Sequence, residues 1–391
     1  MRDVIILGAT GSVGANTLSV IREHPEDFRV VGLACGRSGS PMAALAREYP
    51  DAAVAVAEDS EVFEEELRRG GWRGRYFYGR DAAEEMVRGI DAADCVAAVG
   101  GTAGLRSTFA AAERGLRILL ANKEVLVSAG ELFLDAVKAG GASVLPLDSE
   151  HAALWQCIDG RQPSDIARVV ITASGGPFRT WSADEMALAT PEDALKHPVW
   201  RMGAKISIDS ATLANKALEV IEARHLFGLA FDAIDILVHP QSVVHGMIEL
   251  VDGGVLAHMG ICDMRQPIAC MLFHPARRVS ALERVDLAKV GRLDFEKPDL
   301  ERFPLLALGL DAGRRGGSCP AEFNAANEMA VGLFLAGKIP FGGMAVVVGA
   351  AMEGAGNCPL DSLDDVIRAH DRARKAVMDF VTYHWPHGEK S

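Results

Sequence analysis

The sequence predicts an α/β protein with three parts: an N-terminal Rossmann-like, doubly wound parallel sheet, a central α/β region and a C-terminal helical bundle. Three observations predict it. Short apolar runs alternate with amphipathic helices through the first 145 residues, and a glycine-rich turn follows the first of those runs. After about residue 290 the strand pattern stops and only helical stripes continue. At 391 residues the chain has room for two or three domains, and 49% hydrophobic residues suffice to fill their cores.

In chain order, the first part predicts strands over 4–7, 30–34, 53–55, 96–99, 118–120 and 143–145, with helices over 17–24, 105–114 and 123–139. The second part predicts strands over 169–172, 205–208 and 234–238. A pair over 243–251 and 254–259 is joined by Asp252-Gly253, a hairpin signal. Four helices are expected in the last part. One covers 323–336 before Gly337, and another carries the stripe Leu363, Val366, Ile367, His370, Ala373, Val377 and Phe380. The run Glu64-Glu65-Glu66 reads as a solvated helix face. The domain boundaries expected are 1–146 for cofactor binding and 147–285 for catalysis. A linker over 286–305 then leads to a helical domain over 306–391.

Charge and cysteine usage remove several function classes. With 40 Lys and Arg against 53 Asp and Glu, the formal charge is −13, which argues against a nucleic-acid or anionic-membrane surface. A local basic pocket is still able to hold an anion. The longest uncharged apolar run, 339–352, is too short to span a bilayer, and the N-terminus reads as a strand rather than a signal peptide. Seven cysteines (35, 95, 157, 262, 270, 319, 358) form no C-x-x-C pair. A cytoplasmic protein with free thiols and no zinc-thiolate site is expected.

Gly8-Ala9-Thr10-Gly11-Ser12-Val13-Gly14 lies between the first strand and the first helix. Small residues there let the backbone approach a pyrophosphate, and the helix N-terminus offers unpaired N–H groups. An NAD site usually has an acidic residue after the second strand, but none occurs from Phe28 to Ser40. Gly36-Arg37-Ser38 stands there instead, offering a guanidinium and a hydroxyl to a 2′-phosphate, so NADP(H) is expected.

Leu145-Pro146-Leu147-Asp148-Ser149-Glu150-His151 begins where a buried strand ends. In an extended segment Asp148 and Glu150 point to one side, and two carboxylates without cysteine suit a hard ion such as Mg²⁺ or Mn²⁺. The Asp-x-Glu pattern serves equally as a helix cap. A third carboxylate, Glu219, is expected on a helix with Asn215 and Lys216; a plain surface ion pair between Lys216 and Glu219 is the simpler alternative. Ser174-Gly175-Gly176-Pro177 has the glycines for an anion-binding concavity. His197-Pro198-Val199-Trp200-Arg201-Met202-Gly203 reads as a mobile lid, with a His to donate to phosphate and a Trp to cover a ligand. His239 and His245 lack a third ligand at metal spacing and read as structural or pocket-lining residues.

Together these motifs closely resemble the 1-deoxy-D-xylulose 5-phosphate reductoisomerase family. The resemblance also takes in Ala121-Asn122-Lys123-Glu124, Asp209-Ser210-Ala211-Thr212, His239-Pro240-Gln241-Ser242, Asp263-Met264-Arg265 and Asn324-Ala325-Ala326-Asn327-Glu328, and it covers essentially the whole chain. Ala152 and Leu154-Trp155 depart from the residues more usual there, behind the metal-binding segment. The resemblance implies a homodimeric enzyme that rearranges 1-deoxy-D-xylulose 5-phosphate and reduces it with NADPH to 2-C-methyl-D-erythritol 4-phosphate. This is the committed step of non-mevalonate isoprenoid synthesis. It implies that Asp148, Glu150 and Glu219 hold Mg²⁺, Mn²⁺ or Co²⁺, with Lys123 adding positive charge. Ser149, Ser174, His197, Trp200, Ser210, Asn215 and Lys216 would bind substrate. Thr10, Gly11, Ser12, Val13, Gly36, Arg37, Ser38, Asn122, Glu124 and Gly203 would bind NADPH. The skeletal step is either a retro-aldol cleavage with re-aldolisation or a concerted alkyl shift. Two rivals differ in testable ways: an aspartate-semialdehyde-type dehydrogenase needs a nucleophilic Cys, and a silent NADP-binding regulator needs no carboxylate triad.

Overall fold

Apolar runs rich in Val, Ile and Leu, each followed by a helix, lead to parallel pairing with both faces covered. In the computed structural model, which describes residues 1–58, 62–200 and 202–385, β1 (Arg2–Leu7), β2 (Phe28–Arg37), β3 (Ala53–Glu58), β4 (Tyr76–Tyr78), β5 (Asp94–Ala97), β6 (Arg117–Leu120) and β7 (Ser143–Pro146) form one sheet. Its order is β4-β3-β2-β1-β5-β6-β7, and every neighbouring pair is parallel. The helices between the strands are α1 (Ser12–Glu23), α2 (Ser40–Glu48), α3 (Phe63–Arg69), α4 (Ala82–Gly89), α5 (Leu105–Glu113) and α6 (Glu124–Gly140). The strand order reverses at β1, between β2 and β5, which is where ligands settle in open sheets of this kind. On α3 the acidic run is solvated as expected, Glu64 pairing with Arg68 and Glu65 with Arg69.

The next elements are α7 (Ser149–Ile158), β8 (Ile166–Ala173), α8 (Ala183–Ala187), α9 (Pro191–Ala194), α10 (Ala204–Ala211), α11 (Ala214–Phe227), β9 (Ile234–Val238), β10 (Val244–Leu250) and β11 (Val255–Met259). The strands form a second sheet, β11-β10-β8-β9, in which β10 runs antiparallel to β8 and β11 while β8 and β9 are parallel. The hairpin turn is where Asp252-Gly253 predicted it, with Gly253 at φ +87°. Then follow α12 (Arg265–Phe273), α13 (Leu287–Val290), α14 (Pro304–Arg315), α15 (Cys319–Leu335), α16 (Phe341–Glu353) and α17 (Leu363–His384). The last four form the expected helical part, filled by Phe323, Phe334, Met344, Val347 and Val377.

The chain divides into two compact units. The first comprises Met1–Val125, Phe133–Ala152 and Asp263–Leu282; the second comprises Leu126–Leu132, Ala153–Cys262 and the chain from Glu283 onward. Within the first, α12 lies beside α1, and Phe273 packs edge-on against Phe28 at 5.1 Å. Arg117, paired with Asp94 at 2.7 Å, donates to the Leu272 and His274 carbonyls and closes the end of α12.

Two local expectations are corrected. The segment 205–208, read as a strand from its alternating Ile206 and Ile208, is the body of α10. Its polar residues lie in the interior with partners: Ser207 Oγ donates to the Gly203 carbonyl, and buried Asp209 accepts from Asn327 of another helix and pairs with Lys205 of the same one. Ile206 is 40% exposed instead. The segment 148–150 is not extended either. Asp148 stands just before α7 and Glu150 lies in its first turn, with Ala152 N–H donating to the Asp148 carbonyl at 2.8 Å.

Candidate active site

The glycine-rich turn leaves β1 at the point of strand reversal. Gly8 has φ +80°, and a Cβ there would stand 2.4 Å from the Ala98 carbonyl oxygen. A Cβ on Gly14 would stand 2.3 Å from the Gly8 carbonyl oxygen, so the third glycine is what lets α1 approach the strand. Gly11 is the extended N-cap of α1, and no side chain caps the first turn. Thr10, Gly11 and Ser12 are exposed and Val13 is half-buried, so backbone N–H groups and the positive end of the helix dipole face outward.

Gly36 and Arg37 are the last residues of β2 rather than a loop beyond it. The Arg37 guanidinium, 82% exposed, pairs with Glu58 at 2.8 Å, and Ser38 N–H donates to the Glu58 carbonyl. Asn122 is buried and donates to the Gly101 carbonyl at 3.1 Å; Glu124, also buried, opens α6.

Around the end of β7, Lys123 Nζ lies 2.5 Å from Asp148 Oδ2. Carboxylate oxygens of Asp148 and Glu150 lie within 4.8 Å of one another, and Ser149 Oγ donates to Glu150. His151, fully buried, stands 3.9 Å from Asp148. Burial works to raise the Asp148 carboxyl, but the Lys123 ammonium and His151 outweigh it and hold it well below the usual carboxylate range.

The second unit carries the phosphate-type donors. Ser174 follows β8, and its Oγ lies 2.9 Å from His197 Nε2. His197 Nδ1 accepts from the Val199 and Trp200 N–H groups at 3.2 and 2.8 Å. Nε2 therefore carries the ring proton and donates to Ser174. Gly176 N–H donates to the same Oγ at 3.2 Å, which leaves the Ser174 O–H as a donor toward a ligand. Gly175 and Gly176 both have positive φ, and a Cβ on Gly176 would lie 2.5 Å from the Ser210 carbonyl oxygen. Ser174 and His197 are thus in contact, and the Ser210 backbone lies beside Gly176. Trp200 is half-buried, its ring 6.2 Å from that of His245; Arg201 of the expected lid lies outside the described residues, and Gly203 is the exposed N-cap of α10.

On α11, Glu219 accepts from Asn215 Nδ2 and lies 2.7 Å from Lys216 Nζ. Lys216 and Glu219 side chains are 8% and 1% exposed, so the surface ion pair is excluded and a buried, paired set stands in its place. His239 is structural, with Nδ1 against the Asp294 carbonyl and its ring stacked on Phe295. None of the seven cysteines is in a disulfide, and burial pushes Cys95 up to about 12 and raises Cys157 and Cys319, the opposite of an activated nucleophile. Sequence reasoning gave no separate role to Asp209, buried between Lys205 and Asn327, or to Leu213, whose φ of +57° turns α10 into α11. Asp209 has one local signal, Lys205 at i,i+4 spacing, while its tie to Asn327 and the turn at Leu213 have none nearby.

Three family models match the chain. The 1-deoxy-D-xylulose 5-phosphate reductoisomerase model covers residues 4–130, and the two C-terminal domain models of the same enzyme cover 144–227 and 259–376. The 1-deoxy-D-xylulose 5-phosphate reductoisomerase of Burkholderia pseudomallei (strain 668) is 48% identical over 380 residues, 96% of each chain. The chain belongs to the 1-deoxy-D-xylulose 5-phosphate reductoisomerase family. Among solved reductoisomerases, that of Zymomonas mobilis in complex with NADPH is 42% identical with a TM-score of 0.90, covering 97% of this chain and 99% of the other. A reductoisomerase in complex with NADPH, fosmidomycin and magnesium is 38% identical with the same TM-score, covering 98% of both chains. Among the described residues, no helix is long and apolar enough to cross a membrane.

Proposed function

We propose that this chain is an NADPH-dependent oxidoreductase that converts 1-deoxy-D-xylulose 5-phosphate to 2-C-methyl-D-erythritol 4-phosphate. The observation that carries the reading is the match to the reductoisomerase family over 96% of the chain, with complexes of NADPH and magnesium among its structural relatives. The donor set suits both groups. The glycine turn has room for a pyrophosphate at an uncapped helix N-terminus, and Arg37 has the charge for a 2′-phosphate. Asp148, Glu150 and Glu219 offer only oxygens, as a hard divalent cation prefers, and Asp148 and Glu219 already hold ammonium partners.

A cation held by Asp148, Glu150 and Glu219, Mg²⁺, Mn²⁺ or Co²⁺, supplies Lewis acidity toward the ketone and adjacent hydroxyl, and NADPH supplies the hydride. The protein residues do the rest. Ser174, His197, Ser210, Asn215 and Lys216 anchor the phosphate, the remote handle whose binding energy holds the reacting fragment in place. Ser149 and Lys123 face the sugar oxygens, where the Lys123 ammonium offsets negative charge as it develops. Thr10 to Val13, Gly36 to Ser38, Asn122, Glu124 and Gly203 contact the cofactor. The lid near 197–203, with Trp200, excludes water while the carbon skeleton rearranges. The organisation proposed is a cofactor part over 1–146, a catalytic part over 147–285, a linker over 286–305 and a helical part over 306–391.

A cytoplasmic homodimer completes the reading. Supporting it, β11 is an edge strand with Val255 58% and Met259 38% exposed, an apolar edge of the kind a second copy covers.

The test follows NADPH absorbance with purified protein, 1-deoxy-D-xylulose 5-phosphate and Mn²⁺, then repeats it with EDTA. Oxidation that stops on chelation supports the reading. Oxidation that survives full metal removal overturns the carboxylate site, and NADPH binding without turnover points to a silent cofactor-binding protein.

A further inference from the structure

Asp209 is 1% exposed, and the chemistry above gives it no task. Its Oδ1 accepts from Asn327 Nδ2 of α15 at 2.7 Å, and its Oδ2 lies 3.0 Å from Lys205 Nζ in the first turn of α10. Asn327 is itself fully buried. A buried carboxylate is costly unless its charge is offset, and here Asn327 of α15 hydrogen-bonds one oxygen while the Lys205 ammonium of α10 pairs with the other. Asp209 therefore ties the middle of α10 to α15 and to α10's own first turn.

What α10 carries gives that tie a consequence. Ser210 is the next residue. The chain then turns through Thr212, whose hydroxyl donates to the Ile208 carbonyl at 3.1 Å, and Leu213 at φ +57°, directly into the turn of α11 that bears Asn215 and Lys216. At its other end α10 starts from Gly203, where the segment with His197 and Trp200 finishes. A strained non-glycine residue persists only where its surroundings hold it, so the geometry between Ser210 and Asn215 depends on α10 being fixed.

We propose that Asp209, acting through Asn327 and Lys205, is a positioning residue that sets the substrate-phosphate cradle of Ser210, Asn215 and Lys216. The proposal rests on the reading of those three residues as phosphate ligands. It concerns substrate affinity more than the chemical step, because Asp209 reaches no reacting atom.

The experiment uses full-length protein with Mn²⁺ and NADPH. Asp209→Asn keeps the size and an acceptor for Asn327 but drops the pair with Lys205. It should raise KM for 1-deoxy-D-xylulose 5-phosphate about tenfold, weaken competitive inhibition by inorganic phosphate by about the same factor, and leave kcat within about threefold. NADPH affinity should not move. Asn327→Leu should shift KM in the same direction, and the double variant should be no worse than the worse single, since both cut one linkage. If Asp209→Asn does not fold, Asn327→Leu and the more exposed Lys205→Met carry the same test. A lowered Tm with unchanged KM and phosphate inhibition would overturn the proposal, leaving a purely structural network. Ser210→Ala separates the two levels. If it leaves KM unchanged, the phosphate reading falls and the proposal with it. If it raises KM while the Asp209, Asn327 and Lys205 variants do not, the positioning proposal alone falls.

Discussion

Glu219 divides its carboxylate between Asn215 and Lys216 in a site almost closed to solvent. A buried charge of this kind is held for what it binds, since its stability contribution alone is small. Glu219→Gln keeps the shape and the link to Asn215 while removing the charge. Turnover should fall by about 100-fold or more and Mn²⁺ binding should weaken, with NADPH affinity intact; steady-state rates and Mn²⁺ titration check both. Arg37 gives a second prediction at this scale. Its guanidinium is exposed and, among the described residues, pairs with Glu58. Arg37→Ala should cut the preference for NADPH over NADH about tenfold, the worth of one charge-assisted contact. Glu58→Gln, which releases the guanidinium, should leave NADPH affinity equal or better. Candidate residues of this sort stand out in the sequence because their chemistry sits in the side chain itself, and the structure shows the burial and pairing of Glu219 and the exposure of Arg37. The hydrogen-bond arrangement that leaves Ser174 O–H free to donate was not, because it depends on Val199 and Trp200 backbone N–H groups folding back onto His197.

At the scale of elements, period and punctuation located most strands and the last helices, yet they failed where polar residues are buried with partners distant in sequence. Helix α10 is the clear case: Ser207 and Asp209 mimic the solvent face of a strand, and Asn327 lies 118 positions away. The glycine spacing, in contrast, reports a local steric demand. A Cβ on Gly14 meets backbone atoms of Gly8 and Ala9 at 2.3 and 2.7 Å, neither of which yields like a flexible side chain. Gly14→Ala should push α1 off β1, costing about 1–3 kcal/mol and weakening NADPH, as denaturation midpoints and cofactor titration would show. His225 on α11 gives a pH dependence. Burial, and secondarily Arg224, lowers it from 6.5 to about 4, and its ring lies where a Cβ on Gly130 would be. The folded ring is neutral and the unfolded one protonates first. Its contribution is complete above about pH 6.5 and is lost as pH falls toward 4, by at most about 3 kcal/mol and less for a part-exposed ring. His225→Gln should flatten the fall in urea midpoint between pH 6.5 and 4.5.

For the whole molecule the formal charge of −13 sets a problem that the site must solve, since both cofactor and substrate are anions. In the first unit Lys123 is spent on Asp148, and in the second Lys216 is spent on Glu219. Each lysine is thus neutralised by its own carboxylate, so without a cation the proposed substrate site offers a phosphate dianion little net attraction from Lys123 and Lys216. In the proposed function, a divalent ion held by Asp148, Glu150 and Glu219 would supply the missing positive charge and reverse that balance. The nucleotide loop differs, because it draws on backbone N–H groups and a helix dipole rather than on lysines. Metal removal should therefore separate the two ligands: EDTA-treated protein keeps its NADPH affinity but binds the substrate about tenfold more weakly, beyond losing turnover. Calorimetric titration of each ligand with and without Mn²⁺, at low and at physiological salt, measures this directly. The metal-dependent difference for substrate should shrink with salt, because a screened charge reversal matters less. Equal substrate affinity with and without the ion would place the cation's whole contribution in the chemical step and none in assembling the anion site.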